Sequence, residues 1–121
     1  MKHMSGVVVR GTQQARMIGY PTANIEYATV EEIWAGVWTC WIMIRGIRHS
    51  GLAVIGMWRL LNGSPSLEVY VLDFDQDIYG ETVHVELNVW LRALETFATT
   101  EKLIQRIRED VERARISFVS T

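Results

Sequence analysis

Residues 82–90, Thr82-Val83-His84-Val85-Glu86-Leu87-Asn88-Val89-Trp90, decide the fold class. Apolar and polar side chains alternate throughout, and neighbours in an extended chain point to opposite faces. Val83, Val85, Leu87 and Val89 therefore share one face, which predicts a strand with one side on a core. Working backwards, residues 67–74 (LEVYVLDF) repeat the period, with Glu68, Tyr70 and Leu72 on one face and Leu67, Val69 and Val71 on the other. Residues 75–80 read as the loop between the two strands. Asn62-Gly63-Ser64-Pro65 is the strongest turn signal in the chain.

Further out, residues 52–58 and 37–44 read as strands. Arg45-Gly46 ends the second of these, and His49-Ser50-Gly51 is read as a turn. Both faces of residues 37–44 carry large apolar groups, as in a strand covered on both sides or lining a pocket. Residues 6–10 (GVVVR) form a short β-branched run closed by Gly11. Residues 12–20 are polar and irregular, and residues 22–27 read as extended. Residues 30–35 suit either a short helical turn or an irregular connection. About six strands before any helix predict an antiparallel barrel or sandwich.

The tail changes period. Leu103, Ile104, Ile107, Val111 and Ala114 recur at helical spacing, and Thr99 or Thr100 is placed to cap the start. A helix over about 100–115 is expected, docked on the β core with its charged side in water. Residues 1–5 are expected to be disordered, and 1–121 to form one domain.

Composition narrows the function classes. Hydrophobic residues make up 49% and charged residues 21%, enough for a packed core. The net charge of −2 argues against a nucleic-acid surface, which needs a basic excess. Cys40 is the sole cysteine, so no internal disulfide forms, and a buried inert thiol in a cytoplasmic protein fits. Residues 1–5 lack the apolar stretch of a signal peptide, and no apolar run nears the ~20 residues of a membrane span. His3, His49 and His84 stand in no metal-ligand spacing and receive no role. Asp73, Asp75 and Asp77 lack the glycine and distal glutamate of a calcium loop, so a solvated turn is expected. Trp34, Trp41, Trp58 and Trp90 are read as packing residues.

The sharpest stretch is Gly19-Tyr20-Pro21-Thr22-Ala23-Asn24. Pro21 fixes its own backbone and pushes Tyr20 out of helical angles. Thr22 and Asn24 then lie two apart in an extended chain and face one way. A hydroxyl beside an amide oxygen suits Mg²⁺ and phosphate oxygens. A turn with a local hydrogen bond explains the same residues without any ligand.

These residues resemble the G-[FIY]-P-T-A-N signature of the ATP-dependent riboflavin kinases. The surrounding order agrees: residues 6–11 with the opening strand and glycine, Arg16 with the basic residue of the glycine loop, residues 36–38 and 55–56 with the G-[VI]-Y and I-G strand segments. Residues 67–80, with Glu68 and the Asp77-Ile78-Tyr79-Gly80 end, and Leu91-Arg92 with Phe97, complete a match from about residue 6 to 118. The resemblance implies a six-stranded antiparallel Greek-key β-barrel with a C-terminal helix. It implies ATP and riboflavin as substrates, ADP and FMN as products, and Mg²⁺, Zn²⁺ or Mn²⁺ as the metal. Carried over position by position, Glu68 is the catalytic carboxylate. Gly11, Arg16, Gly19, Pro21, Thr22 and Asn24 bind nucleotide, with Thr22 and Asn24 also holding the metal. Arg92, Trp38 and Phe97 lie at the flavin. The same resemblance implies small-molecule substrates and a monomer, while the charge balance and the lack of a long apolar run argue for no nucleic acid and no membrane. The chain departs from the family pattern at Ala15, Val54, Tyr70 and Leu94. A flavin- or nucleotide-binding barrel with weak or no turnover is therefore the alternative.

Overall fold

The computed structural model describes residues 2–10 and 20–119. Among them are strands β1 (His3–Val9), β2 (Ala23–Glu26), β3 (Gly36–Ile44), β4 (Ile47–Arg59), β5 (Pro65–Val71) and β6 (Thr82–Arg92), and helix α1 (Thr100–Val119). All pairings are antiparallel, and the strands close in the order β1-β2-β5-β4-β3-β6. β3, β4 and β5 run as a meander and β6 returns beside β3, which is the Greek-key arrangement.

Alternation sorts the side chains as the sequence reading expects. Val8, Ile25, Ile42, Ile55, Leu67, Val69, Val83, Val85 and Leu87 fill the barrel interior. On the outer face, Val37, Leu52 and Leu72 meet Ala114 of α1, with Val54, Tyr70, Val111 and Phe118 around them. The helix thus covers the β3–β4–β5 side. Thr99 caps it, its hydroxyl accepting the Lys102 N–H at 3.2 Å.

Four details differ from expectation. Residues 3–5 are not disordered: His3, Met4 and Ser5 pair with Glu86, Val85 and His84, and Met4 is buried in the core. Ser50 and Gly51 do not form a turn. The β3–β4 hairpin turns at Arg45-Gly46, both with positive φ (52° and 77°), matching the twist of the flanking strands. Gly51 lies inside β4, where an added Cβ would meet the Tyr70 carbonyl oxygen at 2.8 Å, so close packing explains that glycine. Val89 leaves the buried face. β6 has one more residue than β3 between the Trp38–Trp90 and Cys40–Leu87 pairs, and the Thr39 hydroxyl accepts the Val89 N–H at 3.0 Å. Such a bulge turns the later side chains over. Finally, α1 continues to Val119 rather than stopping near 115, because Phe118 finds the Trp41 ring, 4.5 Å away between centroids.

Candidate active site

Pro21 leads directly into β2, so Thr22 and Asn24 are set on one face just as that strand begins. β2 pairs with β5 so that Asn24 stands opposite Glu68. Opposed residues share a face, and three oxygen-bearing side chains from positions up to 46 apart in sequence converge. The Thr22 hydroxyl donates to Glu68 Oε1 at 3.5 Å, the outer limit of a hydrogen bond. Burial pushes the Glu68 carboxyl above the ordinary glutamate range, and the Thr22 hydroxyl holds it back in part.

Asn24 is 7% exposed, and its Oδ1 has no hydrogen-bond partner among the described residues. A buried acceptor left unmatched costs about 1–3 kcal/mol, so it marks a place where a ligand atom belongs. An amide oxygen, a hydroxyl and a carboxylate are hard donors, which fit a Mg²⁺-type ion and do not favour a soft metal.

Pro21, Thr22 and Asn24 open onto a cavity of about 200 Å³. Its other walls are the end of β1 through Arg10, Val69 and Val71 of β5, and the loop of residues 74–79. Glu68 does not line the cavity itself but joins it through Thr22. The Arg10 guanidinium lies 4.4 Å from the centre of the Tyr79 ring, placing a cation at the mouth. Arg45 secures the loop. It donates to both carboxylate oxygens of Glu81 at 2.8 and 2.5 Å, to Gln76 Oε1 at 2.7 Å and to the Asp77 carbonyl at 3.4 Å. That guanidinium pulls the Glu81 carboxyl below its ordinary range. Asp77 Oδ1 accepts the Tyr79 N–H at 2.9 Å, and Asp73 takes a two-pronged contact from Arg115. The aspartates at 73 and 77 thus shape the loop, and Asp75 faces the cavity.

The three expected flavin residues lie elsewhere. Register runs a line of outward side chains from Asn24 through Glu68, Val54 and Val37 to Arg92. Three strand steps separate Glu68 from Arg92, roughly 14 Å. Arg92 donates to both carboxylate oxygens of Asp110 on α1, at 2.7–3.1 Å, and to the Ala93 carbonyl. Trp38 packs against the barrel interior, and its indole N–H donates to the Trp34 carbonyl at 3.0 Å. Phe97 lines a shallow hollow with Lys102 and Arg106 of α1. Gly11, Arg16 and Gly19 lie outside the described residues.

Sequence reasoning missed Arg10, Arg45 and Asp110. Only Asp110 left a usable signal: it stands three after Ile107 and four before Ala114, inside the apolar stripe rather than beside it. It also missed the Tyr20–Tyr70 edge contact, 5.5 Å between ring centres, which brackets the Glu68 strand face.

A family model described as riboflavin kinase (flavokinase) matches residues 2–118. A bifunctional riboflavin kinase/FMN adenylyltransferase of Listeria monocytogenes is 34% identical over 118 residues, covering 93% of this chain and 37% of that protein. An RNA-binding riboflavin kinase of Bacillus subtilis is 31% identical over 113 residues, covering 92% and 49%. The chain thus spans half or less of the length of these two relatives. A crystal structure of riboflavin kinase from Trypanosoma brucei superposes with a TM-score of 0.64 at 22% identity, covering 95% of this chain and 78% of that one, and so shares the fold.

Proposed function

The chain belongs to the riboflavin kinase family, and from that premise we propose that it transfers the γ-phosphate of ATP to the 5′-hydroxyl of riboflavin, giving FMN and ADP. The observation that carries the reading is the unmatched, buried Asn24 Oδ1 beside Thr22 and Glu68. A primary alcohol is a weak nucleophile, and a carboxylate within hydrogen-bond reach orients it and accepts its proton. Glu68, with its raised proton affinity, suits that task. Thr22 Oγ1 and Asn24 Oδ1 are the proposed donors to the metal, with Mg²⁺ preferred and Zn²⁺ or Mn²⁺ as substitutes. When bound, that ion neutralises charge on the phosphate oxygens. Pro21 shapes the cavity wall, and Gly11, Arg16 and Gly19 are proposed to cover the phosphates.

Arg92, Trp38 and Phe97 are the proposed flavin contacts. The reading includes a monomer in the cytoplasm with small-molecule substrates and neither nucleic acid nor membrane as partner. The net charge of −2 supports the first exclusion, and no described helix is long and apolar enough to cross a membrane.

The test is incubation with riboflavin, ATP and Mg²⁺, with FMN followed by chromatography. Glu68→Gln is expected to lower turnover at least ~100-fold while flavin fluorescence quenching persists. No FMN from the unaltered chain with any of the three metals rejects the kinase reading. A specific feature favours one alternative, a flavin-binding barrel without turnover: Val54, an apolar residue, stands directly opposite Glu68. Quenching without FMN formation is its signature.

A further inference from the structure

Closure of the barrel brings together two histidines that are 81 positions apart. Ser5 of β1 stands opposite His84 of β6, and His3 opposite Glu86, so all four share the exposed outer face at the seam between the chain's first and last strands. His3 Nδ1 and His84 Nε2 are 3.2 Å apart, and the rings stack at 27°.

That separation has a second meaning. Imidazole nitrogens bind zinc at about 2.0–2.1 Å, so two nitrogens on one ion lie roughly 2.9 Å apart at a right angle and roughly 3.3 Å apart at the tetrahedral angle. The observed distance falls between the two, so the two nitrogens are spaced as two imidazole ligands of one ion are. Ser5 supplies an independent sign. Its hydroxyl is 2.7 Å from His84 Nδ1, the other ring nitrogen. Metal-bound histidines characteristically carry such a partner, because it fixes the tautomer and aims the free lone pair. In the tautomer that donates Nδ1–H to the Ser5 hydroxyl, His84 Nε2 faces His3 unprotonated. His3 then needs only to carry its proton on Nε2 to offer a second lone pair. Neutral imidazoles thus bind the ion without net proton loss.

We infer that His3 and His84 form a two-imidazole site for a zinc-class divalent cation (Zn²⁺, Ni²⁺ or Cu²⁺), separate from the Thr22–Asn24–Glu68 centre. Imidazole ligands select these ions over Mg²⁺. Among the described residues no third histidine, cysteine, aspartate or glutamate completes the set, so water fills the remaining positions and the ion exchanges freely. Glu86, opposite His3, adds negative charge nearby. The bound ion ties β1 to β6 across the seam.

Calorimetric titration with Zn²⁺, run without nucleotide and with excess Mg²⁺ occupying the hard-oxygen donors, tests this. One Zn²⁺ per chain is expected. His3→Ala and His84→Ala should each weaken binding at least ~10-fold, and Ser5→Ala several-fold. Zn²⁺ should raise the thermal midpoint of the unaltered chain and not of His84→Ala. Imidazole proton resonances of His3 and His84 should shift on addition of Zn²⁺. Those of His49, which rests against the Phe74 ring, should not. Zn²⁺ affinity in both alanine variants equal to that of the unaltered chain, or no binding below millimolar Zn²⁺, overturns the inference. FMN formation by His84→Ala should be unchanged.

Discussion

Asp110→Ala tests what holds the helix to the barrel. The Asp110 side chain is 4% exposed and that of Arg92 is 11% exposed. Three donor–acceptor contacts of 2.7–3.1 Å join them. Exposed ion pairs contribute about 0–1 kcal/mol, whereas removing one partner of a buried pair costs about 3–5 kcal/mol, mainly because the other charge is stranded. Arg92 keeps the Ala93 carbonyl at 3.1 Å, and Glu95 lies 3.7 Å away, so the stranded cation is partly relieved. The lower end of the range, about 3 kcal/mol, is expected. For a chain of this size that lowers the thermal midpoint by roughly 10–15 °C. Arg92→Met should cost a similar amount. The double variant Arg92→Met/Asp110→Leu should return to within about 1 kcal/mol of the unaltered chain. Urea unfolding followed by tryptophan fluorescence compares the four proteins. Single variants that each cost less than about 1 kcal/mol would refute the buried-pair reasoning. The double variant also isolates function: a stable barrel that has lost flavin quenching shows that Arg92 contacts ligand as well as α1.

The remaining predictions concern titration, loop support and reactivity. Because burial raises the Glu68 carboxyl, the acid limb of kcat/KM should lie above the ordinary glutamate range and disappear in Glu68→Gln. The same shift has a stability consequence with a definite sign. A carboxyl raised in the folded chain binds its proton more readily folded than unfolded, so stability falls as pH rises through the window between the two values. Glu68→Gln should therefore be more stable than the unaltered chain at pH 7, with the advantage gone below about pH 4; equal stability across that range rejects the assignment. Arg45→Ala frees the loop of residues 74–81 from four contacts and should raise KM for ATP several-fold with kcat little changed, which steady-state kinetics will show. Burial pushes the Cys40 thiol far up, so alkylating reagents should label it only after unfolding, as mass spectrometry can follow.

Strands were legible where their alternation was undisturbed. Val83, Val85 and Leu87 are buried as their spacing implies, and so are Leu67, Val69 and Val71. Val89 escaped because an extra residue in one strand leaves no mark on that strand's own pattern. Gly51 read as a turn because glycine signals both a bend and a close approach, and only the Tyr70 carbonyl distinguishes them. At the site, the extended chain after Pro21 placed Thr22 and Asn24 on one face. Their meeting with Glu68 depends on the β2–β5 register, which no local stretch encodes. Arg45, Asp110 and the His3–His84 pair depend likewise on long-range pairing. Residues 3–5 belong to a strand because β6, some 80 positions away, supplies the missing neighbour.

That last pairing bears on how the chain comes into being. β1 is made before the other five described strands, yet one of its two neighbours is β6. Until about residue 92 leaves the ribosome, the β6-facing edge of β1 has no hydrogen-bond partners, and Met4 and Val8 lack the opposite wall of their core. An open edge of this kind is a template for pairing with other chains. Closure over so long a separation is also slow, since most of the loop entropy is lost before the contact forms. Polar side chains at His3 and Ser5 keep the outward face of that waiting strand from being wholly apolar. Deleting residues 2–9 should leave β2 and β6 as two open edges, and the product should aggregate rather than fold as a smaller barrel.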